Sequence, residues 1–349
     1  MTEAVWERRE GAVTFRLPKR AAAVFALMIA GLTAVLVVSL MTGTYPLDVS
    51  GVLSTLFAEA PNGTAETVVW EFRFPRTIVA LLAGALLALS GATLQNVTRN
   101  PLADPSLVGV SQGASLAVVS LIVAFPGVHP AWRPIAAFSG ALVIAAIIQL
   151  IAMRRTGGAT MRFILTGIGL AAFIAACTQG LLTYGDIDRA QSALGWLAGS
   201  VHAATWTEVG WLSACTALVV PFLFWASRPM AAIRMGNDAA ISLGVKLRAT
   251  RIALITLSVA LAAFAVAAVG PLAFVGLIAP HIARRLARSG VGMHLALSAA
   301  SGGLLVGLAD LLGRAAFAPI QIPAGIVTAI LGVPVFIWLI LRTQSRQQL

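Results

Sequence analysis

The residues that could do chemistry are few and far apart. Asp310 precedes Arg314 by four positions in an otherwise apolar run, so on a helix the two share a face and can pair. Asp104-Pro105 reads as an N-cap followed by proline at the first helical position, a start signal for a helix from Ser106. The segment Gly236-Asn237-Asp238-Ala239-Ala240-Ile241-Ser242-Leu243-Gly244 can form a short helix over residues 239–243, capped by Asn237 or Asp238 and stopped by Gly244. Its small residues would let a partner approach closely, and a plain connecting loop is the other reading. Other chemistry has no support. There is no GxxxxGK[ST] loop, and neither of the two lysines, Lys19 and Lys246, follows a glycine, so the chain has no nucleotide site of that kind. HExxH, GxSxG and paired carboxylates are absent too. His129, His202, His281 and His294 are scattered and read as structural or capping groups. Cys177 and Cys215 lie inside apolar runs and read as small buried hydrophobes. No catalytic residue and no metal site is expected, and the chain is not expected to be an enzyme.

The elements that carry these residues follow from composition. The chain has 349 residues, 59% hydrophobic and only 11% charged, with mean hydropathy +0.91. A soluble domain carries roughly 25% charged residues. So much apolar surface needs a membrane, which excludes a soluble enzyme, a disordered chain and a disulfide scaffold. The apolar stretches are continuous rather than alternating, which argues against a β-barrel. Ten stretches approach the length of a crossing: about 21–40, 74–95, 106–125, 134–153, 162–184, 206–226, 251–269, 272–286, 294–312 and 322–341. The eighth is short and holds Pro280. Residues 1–20 form an N-terminal segment, 21–342 a single transmembrane domain and 343–349 a tail. Met41–Glu71 and Ser227–Thr250 are the two long loops. Gly109 with Gly113, and Gly303 with Gly307, read as helix-packing contacts.

Charge sidedness orients the ten spans. With both termini inside, 19 of the 24 Lys and Arg residues fall on cytoplasmic segments. Arg73, Arg76, Arg133, Arg189 and Arg314 fall outside. The net charge of +11 therefore reflects the positive-inside rule rather than nucleic acid, since no basic stripe is interleaved with stacking aromatics.

Several motifs in order resemble a known family: Arg73-Phe74-Pro75-Arg76-Thr77, Ser90-Gly91-Ala92-Thr93-Leu94-Gln95, Asn100-Pro101-Leu102-Ala103-Asp104-Pro105, Gly276-Leu277-Ile278-Ala279-Pro280-His281, Ala309-Asp310-Leu311-Leu312-Gly313-Arg314 and the run 323–336. Over residues 20–342 the chain resembles the permease subunit of type II ATP-binding-cassette importers for iron-siderophores, haem and cobalamin, the FecCD-type permeases. The resemblance implies an all-α membrane fold of ten helices with cytoplasmic termini, multi-pass in the bacterial cytoplasmic (inner) membrane. It implies a second permease subunit, as a homodimer or paralogous heterodimer. It also implies two cytoplasmic ATPase subunits, which hold ATP and Mg, and a periplasmic or lipid-anchored substrate-binding protein. This chain would hold no cofactor of its own. By position, Arg73, Arg76 and Arg314 would dock the binding protein; the other reading makes Arg73 and Arg76 interfacial anchors and Arg314 only the partner of Asp310. Gly236, Asn237, Asp238, Ala239, Ala240, Leu243 and Gly244 would couple to the ATPase. Asn100 and Leu102, with Thr160 and Met161, would form the cytoplasmic gate, although Met161 departs from the small hydroxyl residue of the cobalamin permease.

The run Ser192–Ser200 and Trp206 look more like the ferric-siderophore and ferric-citrate members, which makes a ferric chelate the expected cargo, haem the close alternative and cobalamin the third. Trp196 also reads as an interfacial anchor. An ion-coupled secondary transporter is the reading from another class, but its midplane sites would need broken helices with ionisable ligands, which the apolar runs lack.

Overall fold

The computed structural model describes residues 5–10, 13–43, 45, 47–57, 63–153, 159–316 and 319–345. An antiparallel hairpin, β1 (Val5–Glu10) and β2 (Val13–Pro18), comes first, with Val5 opposite Pro18. Nothing in the apolar pattern anticipates it. The helices follow as α1 (Lys19–Met41), α2 (Val49–Phe57), α3 (Thr64–Glu66), α4 (Phe74–Thr98), α5 (Val110–Ala124), α6 (Arg133–Met153) and α7 (Ala159–Tyr184). After them come α8 (Ile187–Leu197), α9 (Trp206–Met235), α10 (Asn237–Ser242), α11 (Leu247–Val269), α12 (Val275–Leu286), α13 (Val291–Ala315) and α14 (Ala324–Ser345). Each of the ten expected apolar stretches lies mostly within a helix. Among the described residues, seven helices are long and apolar enough to cross a membrane, and Val110–Ala124 and Ala324–Trp338 are shorter apolar ones.

α4 is the centre of the molecule. Its apolar window is 78% buried, against 17% for α1 and 11% for the window in α7, so α4 packs protein while α1 and α7 keep most of their surface outward. Glycine sets its neighbours' distance. A Cβ on Gly84 would overlap the Gly302 carbonyl of α13, and one on Gly91 would overlap the Gly276 carbonyl of α12. Close backbone approach substitutes for hydrophobic attraction, which lipid does not supply between helices. Toward α11 the contact is polar: the Ser258 hydroxyl donates to the Ser90 carbonyl at 2.8 Å, and Ser90 returns a bond to the Ser258 carbonyl.

Several boundaries differ from expectation. α9 does not stop at Ala226 but runs through Pro221 and Pro229 to Met235, so the loop 227–250 begins as helix. Neighbouring helices re-satisfy what a proline frees inside a membrane bundle. The outer loop 41–71 holds α2 and α3, and a π-helical segment (Thr67–Arg73) leads into α4. Asp104 caps a short 3-10 turn (Pro105–Val108) rather than the long helix, which starts only after Gly109 at φ 86°. α10 begins at Asn237 with Gly236 as its cap, and neither Asn237 nor Asp238 supplies a side-chain cap bond. Gly109 is a turn residue, while Gly113 meets Gly140 of α6, and Gly303 and Gly307 pack on Leu81 of α4. α12 starts only at Val275, because Phe274 adopts φ 65° after a non-helical stretch.

That irregular stretch meets two others. The Ser200 amide donates to the Val269 carbonyl at 2.7 Å, and the Gly325 amide to the Gly199 carbonyl at 2.9 Å. Non-helical backbone at membrane depth must find partners inside the protein, and these two bonds supply them. His202 and Gln321, beside these two bonds, reach Arg76 at the N-terminal end of α4.

Candidate functional site

Arg73, Arg76 and Arg314 converge on one cavity of about 460 Å³, which Tyr45, Glu71, His202 and Gln321 also line. All three arginines are buried, at 5%, 7% and 6% exposure. A partner therefore has to reach into the cavity to touch them.

Asp310 is the anchor. Arg76 of α4 gives it a forked contact, Nη2 at 2.7 Å and Nε at 3.0 Å from Oδ1. Arg314, one turn along α13 from Asp310, places Nε 3.3 Å from Oδ2 as an ion pair without hydrogen-bond geometry. The i,i+4 pair expected from spacing is thus present, and Arg76 joins it from another helix. Arg76 Nη1 also donates to Gln321 Oε1 at 2.8 Å and to His202 Nδ1 at 2.9 Å. Accepting that bond leaves Nδ1 of His202 without a proton.

Arg73 and Arg314 are held by the C-terminal end of α1 and the residues just after it. Arg73 Nη1 donates to the Leu40 carbonyl at 2.6 Å, and Nη2 to the Tyr45 carbonyl. Arg314 Nη2 donates to the Ser39 hydroxyl at 2.5 Å, and Nη1 to the Thr42 carbonyl at 3.2 Å. Neutral carbonyls and a hydroxyl satisfy these donors without cancelling their charge. Asp310 pairs with Arg76 and Arg314 but not with Arg73, and Glu71 lies at the cavity wall, so three guanidinium groups face two carboxylates and the cavity keeps an excess of positive charge. Its chemistry suits a carboxylate or another compact anion. Beside it Trp70, Phe74 and Trp206 stack at centroid distances of 5.2 and 5.6 Å, and Trp206 Nε1 donates to the Trp70 carbonyl at 2.8 Å.

At the opposite end lie the expected gate and coupling residues. Asn100 Oδ1 accepts from the Leu102 amide at 2.9 Å, which closes the turn after α4, and Leu102 is half-buried. Arg99 at φ 54° makes the reversal. Asp104 Oδ1 accepts from the Ser106 amide at 2.7 Å and hydroxyl at 2.6 Å, while burial pushes its carboxyl above the usual range. Thr160 and Met161 fall in the first turn of α7, but their side chains lie outside the described residues, as do Arg154 and Arg155.

Gln95, not singled out for a role by its spacing, ties the turn to α12. Its Nε2 donates to the Ala103 and Gly276 carbonyls, each at 3.3 Å, and its Oε1 accepts from Arg284. No local signal points to Gly276 and Arg284, which are distant in sequence, and the bond to Ala103 forms only because the chain reverses at Arg99.

In the coupling segment Ala240 is fully buried and seats α10 on the body of the protein. Asn237 Oδ1 accepts from Arg251 Nη2 at 2.9 Å, tying α10 to α11. Asp238, Ser242, Leu243 and Gly244 are exposed, and Gly236 and Ala239 are half-buried. Leu243 is 63% exposed, and two neighbours that spacing did not single out, Met235 and Ile241, are 71% and 59% exposed. The end of α9 and the α10 segment thus present three large exposed apolar side chains. Among the described residues, no group of three or more His, Cys, Asp or Glu side chains could hold a metal.

Comparison with known proteins gives consistent matches. Residues 31–342 match the FecCD transport family. The achromobactin transport system permease protein CbrC of Dickeya dadantii is 40% identical over 312 residues, 88% of each chain. A probable siderophore transport system permease protein, YfhA of Bacillus subtilis, is 38% identical over 94% of this chain and 96% of its own. The Fe(3+) dicitrate transport system permease protein FecD of Escherichia coli is 35% identical over 79% of this chain and 85% of its own. Among solved structures, an inward-facing conformation of a metal-chelate type ABC transporter aligns with TM-score 0.79 and 27% identity, covering 92% of this chain and 99% of that one.

Proposed function

The chain belongs to the FecCD transport family, and from that membership we propose that it carries a ferric siderophore or similar iron chelate across the cytoplasmic membrane. It is a multi-pass permease, a transport component rather than an enzyme, and it works with ATPase and substrate-binding partners. The observation that carries the choice of cargo is the agreement among relatives. Proteins named for achromobactin, siderophore and ferric dicitrate transport are 35% to 40% identical over most of the chain.

In this reading a second permease subunit completes the path, and two cytoplasmic ATPase subunits carry ATP and Mg. The binding protein delivers the loaded chelate from outside, with α1 entering the membrane from a cytoplasmic N-terminus. Its acidic side chains enter the cavity of Arg73, Arg76 and Arg314, whose excess charge steers the encounter and fixes register. ATP-driven closure of the ATPases moves the coupling segment 236–244. The movement reaches the turn at Asn100 and Leu102, and the pathway opens to the inside by alternating access.

Uptake into proteoliposomes tests this. The chain, its co-purified ATPase and its binding protein are supplied with radiolabelled ferric siderophore, ferric citrate, haem and cobalamin in parallel. ATP-dependent accumulation of a ferric chelate is the expected result. Accumulation of haem or cobalamin alone overturns the cargo. Uptake that ignores ATP and collapses with an ionophore overturns the importer itself.

A further inference from the structure

Between the N-terminal end of α1 and the C-terminal end of α12 lies a cavity of about 590 Å³, lined by Arg20, Pro101, His281, Arg284, Arg285, Leu286 and Arg288. Among the described residues, no acidic side chain lines it. We propose that it binds the phosphate-bearing headgroup of an anionic phospholipid.

The first support is uncompensated charge. Arg284 donates to the neutral Gln95 amide, and Arg285 Nε to His281 Nε2 at 3.3 Å. Because His281 Nε2 accepts, it carries no proton and lets Arg285 keep its charge. Arg285 also lies 4.9 Å over the Trp338 ring, which orients the guanidinium without neutralising it. Arg20 and Arg288 are exposed and have no hydrogen-bond or ion-pair partner among the described residues. Four cations thus face one concave space, two of them pre-positioned by neutral groups and two free to close on a ligand.

The second support is location. α1 starts beside the cavity and leaves most of its apolar surface outward, as a helix against lipid does. Ile282 and Leu286 on α12 are exposed at 36% and 40%, so apolar surface adjoins the cationic space. Trp338, of the residue type that concentrates at membrane interfaces, flanks it edge-on to His281. A basic pocket between helix ends with apolar shoulders offers phosphate contacts and acyl-chain contacts together. An acidic protein partner would use the charge but leave the apolar shoulders uncovered.

Retention of lipid by the full-length chain tests the proposal. The purified chain in non-ionic detergent is mixed with phosphatidylglycerol and phosphatidylcholine, and native mass spectrometry reads what stays bound. Preferential retention of phosphatidylglycerol is expected, unmoved by excess inorganic phosphate. Each cation near an anionic headgroup contributes about five-fold, so Arg20→Gln with Arg288→Gln lowers the preference on the order of tenfold or more. Arg288→Gln alone gives a smaller drop in the same direction. The pair Arg228→Gln with Arg248→Gln, exposed elsewhere on the expected cytoplasmic side, leaves the preference unchanged. No preference, an equal drop in both double variants, or displacement by phosphate overturns the lipid site. The readout needs no ATPase, binding protein or cargo, so it stands apart from the transport assay.

Discussion

Asp310 on α13 takes the Arg76 guanidinium of α4 at 2.7 Å, across 234 residues of sequence, and keeps Arg314 at 3.3 Å on its other oxygen. One carboxylate therefore holds two buried cations and ties two of the most buried helices of the bundle. Removing it strands both charges, whereas removing one cation leaves Asp310 paired. Breaking a buried pair by deleting one partner costs about 3–5 kcal/mol. Asp310→Asn should lower the unfolding temperature in detergent well below that of Arg76→Gln. Equal unfolding temperatures for the two variants would remove the anchoring role.

Docking of the binding protein can be read without unfolding the site. Arg76→Gln keeps a donor toward Gln321 and leaves Asp310 with Arg314, so the fold should survive. Loss of one cavity charge should slow association and flatten its dependence on ionic strength. Association of the loaded binding protein with nanodisc-embedded chain, followed at two salt concentrations, checks this. Rates identical to those of the unaltered chain would place docking elsewhere.

These two sites mark how far the sequence was legible. Apolar runs are local, so all ten stretches could be seen in advance. The Asp310–Arg314 pair is local too, set by a single helical turn. Arg76 joins it only through the packing of α4 on α13, which no spacing reveals. His202 and Gln321 reach Arg76 because two irregular segments cross, and such crossings leave no periodic trace. α8 was missed because it is too polar for an apolar scan, though Asp186 at its N-cap, accepting from the Asp188 amide at 3.1 Å, was a readable start signal. α9 outlasts its apolar run, which ends at Ser227-Arg228, because its last turns continue as helix through Pro229, and a proline is tolerated in a packed bundle.

The coupling segment offers a test that spares the interior. Ile241 and Leu243 are mostly exposed, so Ile241→Asp with Leu243→Asp should leave the unfolding temperature unchanged. If their apolar side chains seat the ATPase, truncating such anchors should cost well over tenfold in its affinity. Co-purification of the ATPase, quantified by gel densitometry, would show the loss. An ATPase that stays bound at full stoichiometry would move the contact away from α10. Ala240→Leu attacks the other side, where a fully buried small residue leaves no room, and should lower stability by about 1–3 kcal/mol.

Gln95 is where the turn and α12 can be uncoupled. Gln95→Leu keeps the volume but leaves the Ala103 and Gly276 carbonyls without their donor and Arg284 without its acceptor. Each buried polar group left unpaired costs about 1–3 kcal/mol, so a modest fall in stability is expected. Gln95→Glu separates structure from motion. The carboxylate still meets Arg284, but it donates nothing to the two carbonyls, so α12 stays anchored while the turn at Asn100 and Leu102 loses its tie. In proteoliposomes Gln95→Glu should retain binding-protein docking and ATP hydrolysis while transporting less chelate per ATP. Unchanged chelate per ATP in Gln95→Glu would mean that the turn is not governed from α12.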